Sequence, residues 1–279
     1  MRRHVLWGTV AASVVMAVLG ASPAHAEGRG DIRVVKAVTN NGKNVIVGIG
    51  GVVTFPVKLT VKDNSGVKRV YRADADATRS TNGGPVETVG ITCKKLSSTT
   101  SDCTATMRLD TEWFPGYSER NANDAAGDWG VYGIVQANDG DYWIFDALAP
   151  FKLKRAATLK VSAMRSRLFG TSKQVKVTGA LARADWEALK YRGYGGQSLK
   201  LQFRKAGAAS YTTVKTVKTN SAGQVSTTVT APASGSWRWF YQGTSTTSQT
   251  ASAGDTVSLG TPVMRSSAAM PPMHSVSAG

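Results

Sequence analysis

The sequence predicts an all-β protein organised as two tandem β-sandwich modules. Three observations predict it. Apolar residues recur with a period of two in short runs, as in strands with one face buried. Gly, Ser and Thr are abundant, with 29 glycines among 279 residues. Turn signals punctuate the runs at short intervals, the pattern of an all-β chain with many hairpins.

Ahead of these modules, Met1-Arg2-Arg3-His4 is a basic start, Val5 to Gly20 is an apolar run, and Ala24-His25-Ala26 is a small-x-small site. That is the three-part pattern of a secretory signal peptide over residues 1–26, with a secreted, extracellular chain starting at Glu27. The apolar run falls short of the roughly 20 residues a membrane span needs, and no later segment is apolar enough to supply one.

The first module is placed at residues 27–155. Phe55, Val57, Leu59 and Val61 alternate with other residues and share one strand face, while Pro56 argues for an edge or a bulge at that point. Asp63-Asn64-Ser65-Gly66 reads as a turn. Further strands are expected at 31–38, 44–49, 67–72, 86–94 and 102–109, and a hairpin joins 129–137 to 142–153 through Asn138-Asp139-Gly140-Asp141. Lys152 to Ala157 is a short join without a Gly or Pro run, so the modules should abut. The second module, 156–260, repeats the β pattern through Leu159/Val161, Val175/Val177, Leu199/Leu201/Phe203, Val225/Val229 and Trp237/Trp239/Tyr241. Arg183 to Lys190 reads as a turn or two of helix capped by Asp185. Residues 261–279 have no periodicity and read as a disordered tail.

Cys93 and Cys103 are the only cysteines. In an exported protein such a pair reads as a disulfide, here stapling a hairpin across a polar, turn-rich connection.

Charge is unevenly placed. Residues 27–150 hold 14 Lys and Arg against 15 acids, whereas residues 151–279 hold 18 against 3, namely Asp185, Glu187 and Asp255. Such asymmetry has two readings: a well-solvated basic surface that keeps an exported protein soluble, or a polyanion as partner of the second module, either an acidic cell-wall or extracellular polymer or nucleic acid bound non-specifically. Lys200 and Arg204 project opposite Leu199, Leu201 and Phe203, and Arg238 joins them if its strand lies in the same sheet. Arg192 sits in a loop with Tyr191 and Tyr194. These four are the candidate polyanion-binding residues.

The three histidines are His4, His25 and His274, none inside a module. This excludes Ser-His-Asp and Cys-His catalysis and the usual catalytic zinc site. Gly-x-Ser-x-Gly, P-loop and dinucleotide motifs are absent as well. One acidic stretch is left. Glu112 and Glu119 are the carboxylate pair a carbohydrate-active enzyme would use, and a solvated connection is the plainer reading. Asn121, Asn123, Asp124 and Asp128 supply the oxygen donors calcium takes, without the EF-hand register, and Asn and Asp are also ordinary turn residues. No other cofactor is expected.

The second module resembles bacterial immunoglobulin-like domains of exported actinobacterial proteins. The likeness lies in Thr158-Leu159-Lys160-Val161, Val175-Lys176-Val177-Thr178-Gly179, Leu199 to Lys205, Tyr211 to Val217, Gly223-Gln224-Val225 and Gly235-Ser236-Trp237-Arg238-Trp239. The first module, through Ala126 to Tyr132 and the hairpin after it, looks like a more divergent relative. The resemblance implies two immunoglobulin-like sandwiches in an uncharacterised secreted family, some members of which carry a calcium-binding label. The function expected is therefore non-enzymatic binding, adhesion or structural work at the cell exterior, with the basic module on an anionic polymer. A calcium-binding structural protein and a carbohydrate-active enzyme are the alternatives.

Overall fold

The structure, a computed structural model, describes residues 27–77, 85–115, 121–165 and 173–259. The segment read as a signal peptide, Glu119 and the 261–279 tail lie outside the described residues. Eighteen strands are present among those described: β1 Glu27–Arg29, β2 Arg33–Thr39, β3 Val45–Val47, β4 Val52–Lys62, β5 Val67–Ala77, β6 Val86–Lys95, β7 Thr100–Asp110, β8 Gly127–Ala137, β9 Tyr142–Arg155, β10 Ala157–Arg165, β11 Gln174–Asp185, β12 Lys190–Gly193, β13 Ser198–Lys205, β14 Thr212–Lys218, β15 Gln224–Thr230, β16 Gly235–Tyr241, β17 Thr250–Ala251 and β18 Asp255–Val257.

Residues 27–155 form two facing sheets. One runs β2-β4-β7-β6, and the other runs β5-β8-β9 with β1 and β3 both pairing with β9. Lettered in chain order from β2 and omitting β3, this is A-B-E-D against C-F-G, the constant-type immunoglobulin order. Residues 157–257 form a second pair. There β10-β11-β15, with β12 alongside the far end of β11, faces β14-β13-β16, with β17 and β18 beside β16. This is the same sandwich with its fourth strand moved to the other sheet. The fold is all-β and immunoglobulin-like in both halves.

Alternation places the cores. Phe55, Val57, Leu59 and Val61 are all buried, and Phe55 meets Phe151 of the facing sheet at 5.6 Å between ring centroids. Pro56 lies within a strand flanked on both sides, but β2 ends at the Thr39–Val57 pair, so at Pro56 only β7 is alongside. A residue without an N–H is tolerated at such a local edge. In the second core Trp237, Trp239 and Tyr241 face inward against Leu199, Leu201 and Phe203. Trp239 Nε1 donates to the Thr178 carbonyl across the sandwich at 3.0 Å. Cys93 and Cys103 stand opposite each other on β6 and β7 and are joined by a disulfide.

Residues 183–190 depart from the helix expected there. β11 runs on to Asp185, a four-residue turn follows, and β12 returns from Lys190. Asp185 does cap that turn, its Oδ1 accepting the Ala188 N–H at 3.3 Å. Tertiary packing overrides local propensity here, because Trp186 at the turn is fully buried in the core of the first pair of sheets. It stacks on Phe114 at 4.3 Å and 14°, and its Nε1 donates to the carbonyls of Val47 (3.3 Å) and Gly48 (3.1 Å). Arg155, at the end of β9, is buried beside this turn and donates from Nε to the Ala184 carbonyl at 2.6 Å.

Candidate functional site

The outer face of the β14-β13-β16 sheet carries the basic residues read from the sequence. Gln202 pairs with Arg238 across the β13–β16 ladder, and Lys200 and Arg204 flank Gln202 on the same face by the period of two. Arg238 Nε donates to Gln202 Oε1 at 2.8 Å, and Lys200 Nζ donates to Gln242 Oε1 at 3.2 Å. Phe240, opposite Lys200, adds a half-buried ring to the face.

Tyr211, just before β14, organises this face. Its ring lies under both guanidiniums, with Arg238 at 3.9 Å and Arg204 at 4.8 Å from the centroid. Room for the phenol exists because Gly254 lacks a Cβ, which would stand 2.4 Å from the Tyr211 oxygen. Two like charges over one ring gain from its quadrupole but repel each other. No carboxylate among the described residues pairs with Lys200, Arg204 or Arg238. The three acids of this half are committed elsewhere: Asp185 to Arg192, Glu187 to the Ala122 N–H, and Asp255 to the Ala163 N–H. What is left is an uncompensated, aromatic-backed cationic surface.

Arg192 is not part of it. It lies on β12, in the opposite sheet, and its Nε is 2.5 Å from Asp185 Oδ2. Tyr211 is the residue the sequence reading missed; its place beside β13 and β16 depends on strand pairing and leaves no local signal.

The other candidates serve the junction or the surface. Asn121 accepts the Asn123 N–H at 2.9 Å and caps the short turn Ala122–Ala125. Asn123 uses its whole amide, accepting the Trp186 N–H at 2.9 Å and donating to Asn121 at 2.7 Å and to Asp185 at 2.9 Å. Asp124 is exposed on this turn, and Asp128 pairs with Lys152, its ladder partner. Glu112 is exposed on the short turn Thr111–Trp113. Burial pushes the Asp185 carboxyl up, but hydrogen bonds from Asn123, Ala188 and Arg192 outweigh it and hold the carboxyl below its ordinary value.

No family model matches the sequence. No curated protein matches it either. Among solved structures, the D00-D0 domain of Intimin aligns over 79% of this chain and 98% of its own length, at 11% identity and a TM-score of 0.26. A likeness that distant bears on neither function nor partner. The immunoglobulin-like assignment rests on the strand order itself.

Proposed function

We propose that this chain is a non-enzymatic extracellular binding or structural protein whose second sandwich holds an anionic polymer on its β14-β13-β16 face. One observation carries the reading: Arg204 and Arg238 lie over the single Tyr211 ring, and no carboxylate among the described residues forms an ion pair with either. Guanidiniums held over an aromatic ring present donors for phosphate or carboxylate oxygens, and charge of one sign on a pleated face favours a repeating polyanion over a small neutral ligand. Export is supported by the signal-like start of the sequence and by the Cys93–Cys103 disulfide. The buried junction around Trp186 fits a stiff spacer that holds this face at a set orientation.

Titration of the exported chain with poly(glycerol phosphate), duplex DNA and a neutral glucan tests the reading. Both polyanions should bind, with affinity falling steeply as salt rises, and the glucan should not. Binding that ignores salt, or a preference for the glucan, would overturn it.

A further inference from the structure

At one end of the first sandwich, three carboxylates from distant parts of the sequence meet. Asp31 lies between β1 and β2, Asp63 follows β4, and Asp141 closes the β8–β9 hairpin; one oxygen from each lies within 4.8 Å of the others. A chain of hydrogen bonds links them. Asp31 N–H donates to Asp141 Oδ2 at 3.0 Å, Asp141 N–H to Asp139 Oδ1 at 3.1 Å, Asp139 N–H to Ser65 Oγ at 3.2 Å, and Ser65 returns N–H and Oγ–H to Asp63 Oδ1 at 2.7 and 2.6 Å. Gly30, at φ +78°, completes the cradle, since a Cβ there would sit 1.4 Å from Asp141 Oδ2.

The second observation is a naked oxygen. Asp63 is 1% exposed, and its Oδ2 is buried without a hydrogen-bond partner. A buried carboxylate oxygen left unpaired costs several kcal/mol of desolvation, which a cation or a proton must offset. No Lys or Arg among the described residues forms an ion pair with any of the three. A proton shared between Asp31 and Asp63 would relieve that pair but leave Asp141 as a like charge beside them. One divalent ion touches all three carboxylates at once and offsets two of their three charges.

We infer that Asp31, Asp63 and Asp141 form a binding site for a hard divalent cation of calcium size. Ligand oxygens within 4.8 Å of one another match the span across an ion with bonds of about 2.4 Å, and all-carboxylate donors select calcium over zinc or copper. Asp31 is exposed and Asp141 half buried, so the ion enters from solvent and keeps water for the ligands the protein does not supply. Bound there, it ties the segment before β2 to the β4–β5 turn and the β8–β9 hairpin. These residues are separate from the Asn121–Asp128 set, and the inference does not depend on polyanion binding.

The experiment uses the exported full-length chain with two probes: calcium, followed by thermal melting, and terbium, followed by luminescence excited through neighbouring Tyr142 and Trp143. The wild type should melt at higher temperature in millimolar calcium and give saturable luminescence that calcium displaces. Asp141→Asn and Asp31→Asn should each weaken calcium binding at least tenfold. Asp63→Asn keeps the Oδ1 acceptor for Ser65 and gives Asp31 a donor, so it should fold and melt at one temperature with or without calcium. Asp124→Asn and Asp128→Asn should respond as wild type. The inference fails if calcium changes neither readout, if the Asp31 and Asp141 variants respond as wild type, or if the Asp124 or Asp128 variant abolishes the response instead.

Discussion

Trp186 offers the sharpest perturbation of the fold, because it belongs to the second half by sequence and to the first core by packing. The ring is fully buried, lies parallel to Phe114 at 4.3 Å, and uses its one donor on Val47 and Gly48. A buried tryptophan removes about 150–250 Å² from water, so at about 25 cal/mol per Å² its burial is worth about 4–6 kcal/mol as an upper bound. Truncation to alanine at such sites costs about 3–5 kcal/mol. Trp186→Phe keeps the stack and loses the donor, and should cost about 1–2 kcal/mol. Calorimetry reads both magnitude and coupling. The second core contains nothing of Trp186. Trp186→Ala should therefore split a single cooperative transition into two, with the first-sandwich component lowered and the other unmoved. A single transition at the wild-type temperature would refute the idea that this turn locks the halves together. Equal losses for the Phe and Ala variants would refute the role given to stacking.

Replacing Cys93 and Cys103 together with alanine should cost about 2–3 kcal/mol in urea unfolding, the loop-closure value for cysteines 10 residues apart, and mass spectrometry of the wild type should find no free thiol. Trp239→Phe should destabilise by about 1–2 kcal/mol more than Trp237→Phe, because Trp239 donates to Thr178 while the buried Trp237 Nε1 has no partner to lose. The Asp185 carboxyl is held below its unfolded value, so its contribution is complete above about pH 4 and is lost as pH falls through the depressed folded value. Acid should thus loosen the junction in the wild type, and Asp185→Asn should flatten that part of the stability profile.

What could be read from the sequence followed from local periodicity. Phe55 to Val61 and Trp237 to Tyr241 show their buried faces in the letters, because a strand reverses side at every residue and one face of each was apolar. The Asn138–Asp141 hairpin and the cysteine staple were legible for the same local reason. β12 was not, since all four of its residues are exposed and none alternates. The 183–190 segment misled because a capping Asp before Trp, Ala and Leu looks helical until the core of the first sandwich claims the Trp. Lys200 and Arg204 could be placed on one face from alternation alone, and Arg238 joins them through the β13–β16 pairing, whereas Tyr211 and the Asp31–Asp63–Asp141 meeting arise only when strands distant in sequence pair.

The cationic face is the central claim, and a comparison of two charge-matched variants tests it most directly. Lys200, Arg204 and Arg238 changed together to Glu reverse the proposed face. Lys160, Lys173 and Lys176 changed to Glu alter net charge equally on or beside β10 and β11, in the opposite sheet. Affinity for duplex DNA, followed against salt, should collapse for the first variant, with the log–log slope smaller by about 2–3, the share of three phosphate contacts. The second variant should keep most of its affinity and slope. Equal losses in both would mean that net charge alone attracts the polymer and that the Tyr211 face has no special part in it.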